Sequence, residues 1–377
     1  MFRSSYIEKI NELYKIHPIV ALLGPRQCGK TTLSHMFADM HTTLPVHFFD
    51  LEDPEDLAKF NNPKLTLENL SGLIVIDEIQ RSPNLFPYLR VLVDKYPHVK
   101  LLILGSASRE LIKQSSESLA GRVGYLEISP FSYPETHNLP DLWLRGGFPR
   151  SYLAPSIDTS ISWRKQYITT FLEQDIPNLG INIPAHMLRR FWMMLSHYHG
   201  NIFNAADLGS SLNLTGPTIR RYVDILTGTF MVRQLQPWFV NVKKRQVKAP
   251  KIYFKDSGIL HTLMGITDRD ALFTHPKLGA SWEGFALEEI LRFHNTSTEE
   301  CYFWATHGGA ELDLLILKDG KKLGFEFKYV DAPKLTPSMH IALADLELDS
   351  LTVIYPGKNS FALHDNIMAF GLSHYLI

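Results

Sequence analysis

The sequence predicts an α/β fold that opens on a parallel sheet and continues into two further modules. Three observations carry that expectation. Gly24-Pro25-Arg26-Gln27-Cys28-Gly29-Lys30-Thr31 fits G-x-x-x-x-G-K-[ST], a loop that wraps phosphates. The apolar run 73–76 ends in two carboxylates, Asp77 and Glu78. Short apolar runs at 19–23, 46–51, 73–76, 100–104 and 124–128 alternate with helical patterns, the rhythm of βαβ units.

The loop follows the apolar run 19–23 and leads into a helical pattern from Thr32. In that strand–loop–helix setting the glycines let backbone N–H groups approach phosphate, and the helix N-terminus adds its positive end. The nucleotide-binding set is therefore Gly24, Pro25, Arg26, Gln27, Cys28, Gly29, Lys30, Thr31 and Thr32. Lys30 is expected on the β- and γ-phosphates and the Thr31 hydroxyl on Mg²⁺. A glycine turn with its lysine in solvent is the bland alternative, and the flanking elements argue against it. The run 73–76 suits a central strand covered on both faces. At its carboxyl end Asp77 would hold the Mg²⁺ shell, and Glu78 would orient or deprotonate the attacking water. The alternative is that these acids cap a helix.

A strand over 100–104 ends in Gly105-Ser106-Ala107-Ser108. Ser106, or else Ser108, would contact the γ-phosphate or its water; a serine N-cap for the next helix is an equal reading. Arg122, beside Ala120 and Gly121, is a candidate to stabilise transition-state charge, in its own subunit or from a neighbour in a homo-oligomer. A surface role explains it equally well.

The chain has 377 residues, which calls for two to three domains. Hydrophobic content of 45% with 20% charged residues is that of a soluble globular protein. A net charge of −1 excludes a global pull towards nucleic acid or membrane, so any such patch is local. No apolar run is long enough to span a bilayer, and the polar N-terminal segment lacks the apolar core of a signal peptide. The two cysteines, Cys28 and Cys301, exclude a disulfide framework and fit a cytoplasmic location. The 16 histidines show no zinc-ligand spacing.

The predicted modules are 1–155, a nucleotide-binding domain with a small helical lid, then 156–265 and 266–377. Within the second, 204–212 and 217–226 read as a helix-turn-helix, followed by strands at 230–235 and 251–254 that would flank a wing. Lys243, Lys244, Arg245, Lys248 and Lys251 lie in that wing with Trp238, Phe239 and Tyr253 interleaved. With Arg220 and Arg221 off the buried stripe of the second helix, they form a candidate surface for DNA phosphates. A solvated hairpin used for protein contacts is the alternative. In the third module the order is helix 281–293, strands 301–305, 312–317 and 322–329, helix 338–346 and a final strand 351–355. Asp313 opens its strand, and Glu326 and Lys328 share a strand face. Glu283 lies on the apolar arc of its helix, where a carboxylate needs a cation or a hydrogen-bond partner. Glu283, Asp313 and Glu326 could hold Mg²⁺ with Lys328 near an attacked phosphate, or all four could form an internal charge network.

On these motifs the chain resembles the prokaryotic AAA+ ATPases that carry a C-terminal domain of unknown function. The resemblance adds Asp77-Glu78-Ile79-Gln80 followed by Pro83, Gly105-Ser106-Ala107-Ser108, Leu119-Ala120-Gly121-Arg122, Gly146-Gly147-Phe148-Pro149, Asp256-Ser257-Gly258 and Gly279-Ala280-Ser281-Trp282-Glu283. It implies an AAA+ P-loop ATPase sheet, with ATP and Mg²⁺ as cofactors. The C-terminal part also looks like the PD-(D/E)-x-K nuclease fold, where a helix Glu, a strand Asp and a Glu-x-Lys pair bind metal; Glu283, Asp313, Glu326 and Lys328 stand at those positions. The expectation is thus a cytoplasmic ATPase with DNA as partner through a winged helix-turn-helix and a restriction-nuclease-like α/β domain. Its alternative is a nucleotide-gated protein-interaction switch on an inactive nuclease fold.

Overall fold

β1 (Ile19–Leu23) and β3 (Gly72–Asp77) are buried at every position, because helices cover both faces of the sheet they enter. β2 (Val46–Asp50) and β5 (Val123–Glu127) are partly exposed, as edge strands are. With β4 (Val99–Gly105) they form one sheet in the order β2-β3-β4-β1-β5. Every neighbouring pair is parallel. The five predicted strands of this region stand within two residues of their expected bounds. Ile19, Ala21, Ile74, Ile76, Leu101 and Ile103 form one side of the core against Phe86 and Leu89 of the helix Leu85–Lys95.

The computed structural model describes residues 1–40, 45–106, 119–239 and 247–377. They fall into two compact units. The first comprises Met1–Pro130 with Gln174–Asn182 and Gly228–Met231. The second comprises Phe131–Glu173, Ile183–Thr227 and Val232–Ile377. Among the described residues no helix is long and apolar enough to cross a membrane.

The second unit is built on a sheet of nine strands. They are β6 (Asn201–Ile202), β7 (Val232–Pro237), β8 (Lys251–Phe254), β9 (Cys301–Ala305), β10 (Glu311–Lys318), β11 (Lys321–Phe327), β12 (Ser350–Tyr355), β13 (Ser360–His364) and β14 (Ile367–Gly371). Their order is β13-β14-β12-β11-β10-β9-β7-β8-β6. Gln236 and Pro237 of β7 pair in parallel with Tyr302 and Phe303 of β9, so a single sheet crosses the expected boundary at residue 266. β13, β14 and the short helix Leu372–Tyr375 follow β12, the last strand expected from sequence. β13 is short and alternately exposed, an edge with little apolar signal.

The helix Ala205–Leu212 ends at Asn213, whose left-handed backbone (φ 55°) turns the chain into the helix Gly216–Gly228. β7 and β8 then pair antiparallel. In the C-terminal part the helix Leu278–Phe293 packs Phe285, Ala286 and Ile290 against Leu314, Ile316 and Phe325. The helix Pro337–Leu346 packs Met339 and Ala342 against Leu312, Leu315 and Val353. Leu312 and Leu315 share a cluster although three residues apart, because the β9–β10 register shifts between them. Asp313 lies inside that irregularity, and such bulges re-aim side chains.

Candidate functional site

The loop leaves β1 at Leu23 and enters the helix Lys30–Asp39 through Gly29, whose φ of 98° favours glycine. Gly24 donates its N–H to the Gly105 carbonyl at 3.2 Å. A side chain at Gly24 would overlap the Ile128 carbonyl, so the close approach needs glycine. Lys30 is only 5% exposed. Its ammonium donates to the carbonyls of Gly24 and Pro25, at 3.0 and 2.9 Å. Thr31 Oγ1 donates to Asp77 Oδ2 at 2.5 Å, and the Glu78 N–H donates to Asp77 Oδ1 at 2.8 Å. Burial pushes the Asp77 carboxyl up, the Glu78 charge adds to it, and the Thr31 hydroxyl opposes it.

Glu78 has a left-handed backbone, φ 52° and ψ 44°. Such a conformation is costly for a non-glycine residue and recurs at functional sites. It sits where β3 ends, beside Asp77. The Gln80 amide donates to the Glu78 carboxylate and, at 2.9 Å, to Ser106 Oγ; Ser106 Oγ stands 3.4 Å from Glu78 Oε2. Lys30, Thr31 and Asp77 are thus joined at the loop, and Glu78 and Ser106 at the adjoining strand ends. Gln80 was not among the predicted site residues; its only signal was its place in the run from Asp77 to Gln80. Ser108 lies outside the described residues.

Arg26 binds the carboxylates of Asp175 and Glu52. Asp175, from the segment Gln174–Asn182 of the same unit, was also not foreseen, since 149 residues of sequence separate it from Arg26. Gln27 holds φ 60°, Cys28 is fully buried, and Thr32 is exposed on the first turn of the helix. Burial pushes the Cys28 thiol up, leaving it a packing residue of the loop.

Arg122 does not join the site of its own chain. It precedes β5, whose Val123 pairs with Ile19, whereas the loop departs from the other end of β1. At about 3.3 Å per residue the length of β1 alone separates them by roughly 13 Å. Its exposed guanidinium instead pairs with Asp94 at 2.6 and 2.9 Å.

The second predicted cluster does come together, around two lysines. Lys251 Nζ contacts the Glu311 carboxylate and lies 3.7 Å from both Glu283 Oε1 and Asp313 Oδ1. Lys328 Nζ lies 2.7 Å from Glu326 Oε2 and 3.8 Å from Asp313 Oδ2. Tyr253 donates its hydroxyl to Glu283 at 2.6 Å, and Asp313 accepts the Phe327 N–H at 3.0 Å. Burial and the Asp313 charge push the Glu283 carboxyl up, and the same two causes push Glu326 up. Burial opposes the charge of Lys251, but Glu283, Asp313 and Glu311 outweigh it and raise its pKa. Among the described residues no group of three His, Cys, Asp or Glu side chains is arranged to hold a metal ion.

Lys251 was expected on a basic surface; it is 3% exposed, so it cannot serve there. Tyr253 is likewise fully buried. Arg220, Arg221 and Lys248 are exposed. Lys243, Lys244 and Arg245 lie outside the described residues. Two other motifs meet at one buried joint. Asp256 caps the helix Ser257–Leu263 by accepting the Ile259 N–H at 2.9 Å, and it accepts the Gly147 N–H at 2.8 Å.

Comparison with known proteins places these regions in families. Residues 16–137 match an AAA domain, 136–270 a domain of unknown function (DUF8612), and 278–375 another (DUF4143). The chain is 49% identical over 355 residues to "Uncharacterized protein Rv2008c" of Mycobacterium tuberculosis, covering 93% of this chain and 79% of that one. It is 22% identical over 371 residues to "Uncharacterized protein MJ1544" of Methanocaldococcus jannaschii, covering 89% and 81%. A solved structure it is similar to is the Walker-type ATPase PABY2304 of Pyrococcus abyssi, with a TM-score of 0.47 and 16% identity over 70% of this chain and 95% of that one. The chain belongs to the same family as the M. tuberculosis protein, and residues 16–137 are its AAA domain.

Proposed function

We propose that the protein binds ATP with Mg²⁺ at Gly24–Thr32 and hydrolyses it, with Glu78 as the general base. The observation that carries this is the junction of Lys30, Thr31 and Asp77, with Glu78 held beside it by Gln80 and Ser106. The Thr31 hydroxyl and Asp77 carboxylate are hard oxygen donors in contact, a pair that fits Mg²⁺. When bound, that ion neutralises charge on the phosphates. The backbone N–H groups of the loop and the helix start cradle phosphate. Lys30 exchanges its two carbonyl partners for phosphate oxygens, a gain of charge-assisted bonds. Glu78 accepts the proton of the attacking water, and Gln80 and Ser106 fix where its carboxylate points. Ser106 is thus a positioning residue.

Lys30→Ala should abolish saturable ATP binding measured by calorimetry; retained binding would overturn the assignment. For Arg122 the reading is a role in trans, at the site of a neighbouring copy. Mixed Arg122→Ala and Glu78→Gln proteins should then regain part of the turnover that each lacks. A strictly monomeric protein at full activity rules this out.

The second unit is read as a DNA-contacting module that does not cut. The helix pair Ala205–Leu212 and Gly216–Gly228 followed by β7 and β8 supports a winged helix, and exposed Arg220, Arg221 and Lys248 support phosphate contact. Lys243, Lys244 and Arg245 belong to the same proposed surface. Each phosphate contact removed should lower the slope of log K against log salt by about one. Binding that ignores salt would favour a protein-interaction switch. The nuclease-like domain is read as inactive, because the ammonium of Lys251 stands among Glu283, Asp313 and Glu311. Plasmid DNA with Mg²⁺ should stay uncut. Cleavage lost in Asp313→Asn at an unchanged melting temperature would overturn that reading.

A further inference from the structure

The second unit contains an open pocket of about 640 Å³. Its aromatic lining includes Trp143, Trp282, Phe273 and Tyr329. The rings form a continuous set: Trp143 lies 5.3 Å from Trp282, 5.4 Å from Tyr329 and 6.4 Å from Phe273 between centroids. Trp143 and Trp282 are buried at 6% and 2% exposure, while Phe273 is 45% exposed. Phe273 thus presents an aromatic face to solvent at the pocket.

A further feature is chemical. The lining contains Arg269 and Lys358 and no carboxylate, in a chain whose net charge is −1. Both cationic side chains are exposed, and Arg269 stands over the Phe273 ring at 6.0 Å. Flat π surfaces and two cations in a lining without a carboxylate ask for a planar ring with an attached anion.

We propose that this pocket binds a nucleotide, either free as a mononucleotide or as the end of a single strand. The base would stack among Phe273, Trp143 and Tyr329, with its phosphate towards Arg269 and Lys358. Volumes of 300–1,000 Å³ are usual for small-molecule sites. The inference uses residues of the second unit alone and does not rest on the ATPase or the winged-helix reading.

The test uses the full chain carrying Lys30→Ala, which silences the phosphate loop. Tryptophan fluorescence is titrated with uridine monophosphate, with a 5′-phosphorylated oligothymidylate, and with an acidic peptide containing tyrosine. Saturable quenching by a nucleotide probe is expected, weakened at least about five-fold by Phe273→Ala and by Arg269→Ala. Both positions are exposed, so these variants should fold, and in the otherwise native chain they should leave ATP turnover unchanged. Equal affinity for the monophosphate and the oligonucleotide identifies a free nucleotide; binding of the oligonucleotide alone identifies a strand end. Quenching by the peptide alone, no quenching at all, or unchanged affinity in both variants overturns the proposal.

Discussion

Lys30 and Lys251 are both buried lysines, at 5% and 3% exposure, and they keep opposite company. Lys30 donates to two neutral carbonyls of its own loop. Lys251 is surrounded by the carboxylates of Glu283, Glu311 and Asp313. A neutral carbonyl is a weaker partner for an ammonium than an anionic phosphate, so Lys30 has something to gain from a ligand. Lys251 has its counter-charges already, and removing it would leave the largely buried Asp313 and Glu283 short of a cation, while Glu311 reaches water. On the proposed function one lysine is poised for exchange, whereas the other is held by its counter-charges. A lysine beside carboxylates is therefore not a site by itself; the nature of its resting partners decides.

The largest effect expected on the first side of this contrast is Glu78→Gln. It should retain ATP and lower turnover by roughly 10²–10⁴-fold, measured as phosphate release. Unchanged turnover would remove Glu78 from its role and leave the loop a binding site only.

On the other side, Lys251→Met keeps the aliphatic stem and deletes the charge. Urea unfolding at neutral pH should show a loss of roughly 3–5 kcal/mol. A loss below about 1 kcal/mol, the scale of an exposed pair, would mean that water or an ion already reaches these carboxylates.

A smaller effect sharpens the same point. Lys251 and Lys328 face Glu283, Glu311, Asp313 and Glu326, so carboxylates outnumber lysines. Burial and Asp313 raise the Glu283 carboxyl above its unfolded value of about 4.3. A raised folded-state value means that the protonated form is favoured: its stabilisation is complete below about pH 4.3 and is lost as pH rises through the folded-state value. Glu283→Gln imitates the protonated group. It should gain about 1 kcal/mol over wild type at alkaline pH, and the gain should vanish towards pH 4, read from paired urea curves. A gain independent of pH would show that Glu283 does not titrate in this network.

How these sites were read from sequence differs in the same way as their chemistry. The glycine-rich loop was legible because all its parts are local: Gly24 to Thr31 form the turn and the helix start within one strand–loop–helix step. Asp77 and Glu78 followed from an apolar run that ends in acids, since a fully covered strand leaves polar groups only at its end. Asp175 on Arg26 and Lys251 among the carboxylates were not legible, because no spacing rule links residues 149 or 60 positions apart. Lys251 was misread as surface for a definite reason. Its neighbours in sequence are basic, but β8 buries all four of its residues between β7 and β6.

The sequence by itself determined the five strands of the first sheet, the glycine-rich loop between β1 and its helix, and the meeting of Lys30, Thr31 and Asp77, since periodicity and turn chemistry act over a few residues. Only the tertiary structure decided the rest. It put Arg122 at the far end of the sheet, because parallel pairing of β5 with β1 sets which end each residue occupies. It carried one sheet across residue 266 through Gln236 and Pro237. It filled the carboxylate cluster with Lys251, and it set Trp143, Trp282, Phe273 and Tyr329 around a cavity. Those outcomes depend on register and packing between distant segments, where one residue of slip along a strand exchanges the buried and exposed faces.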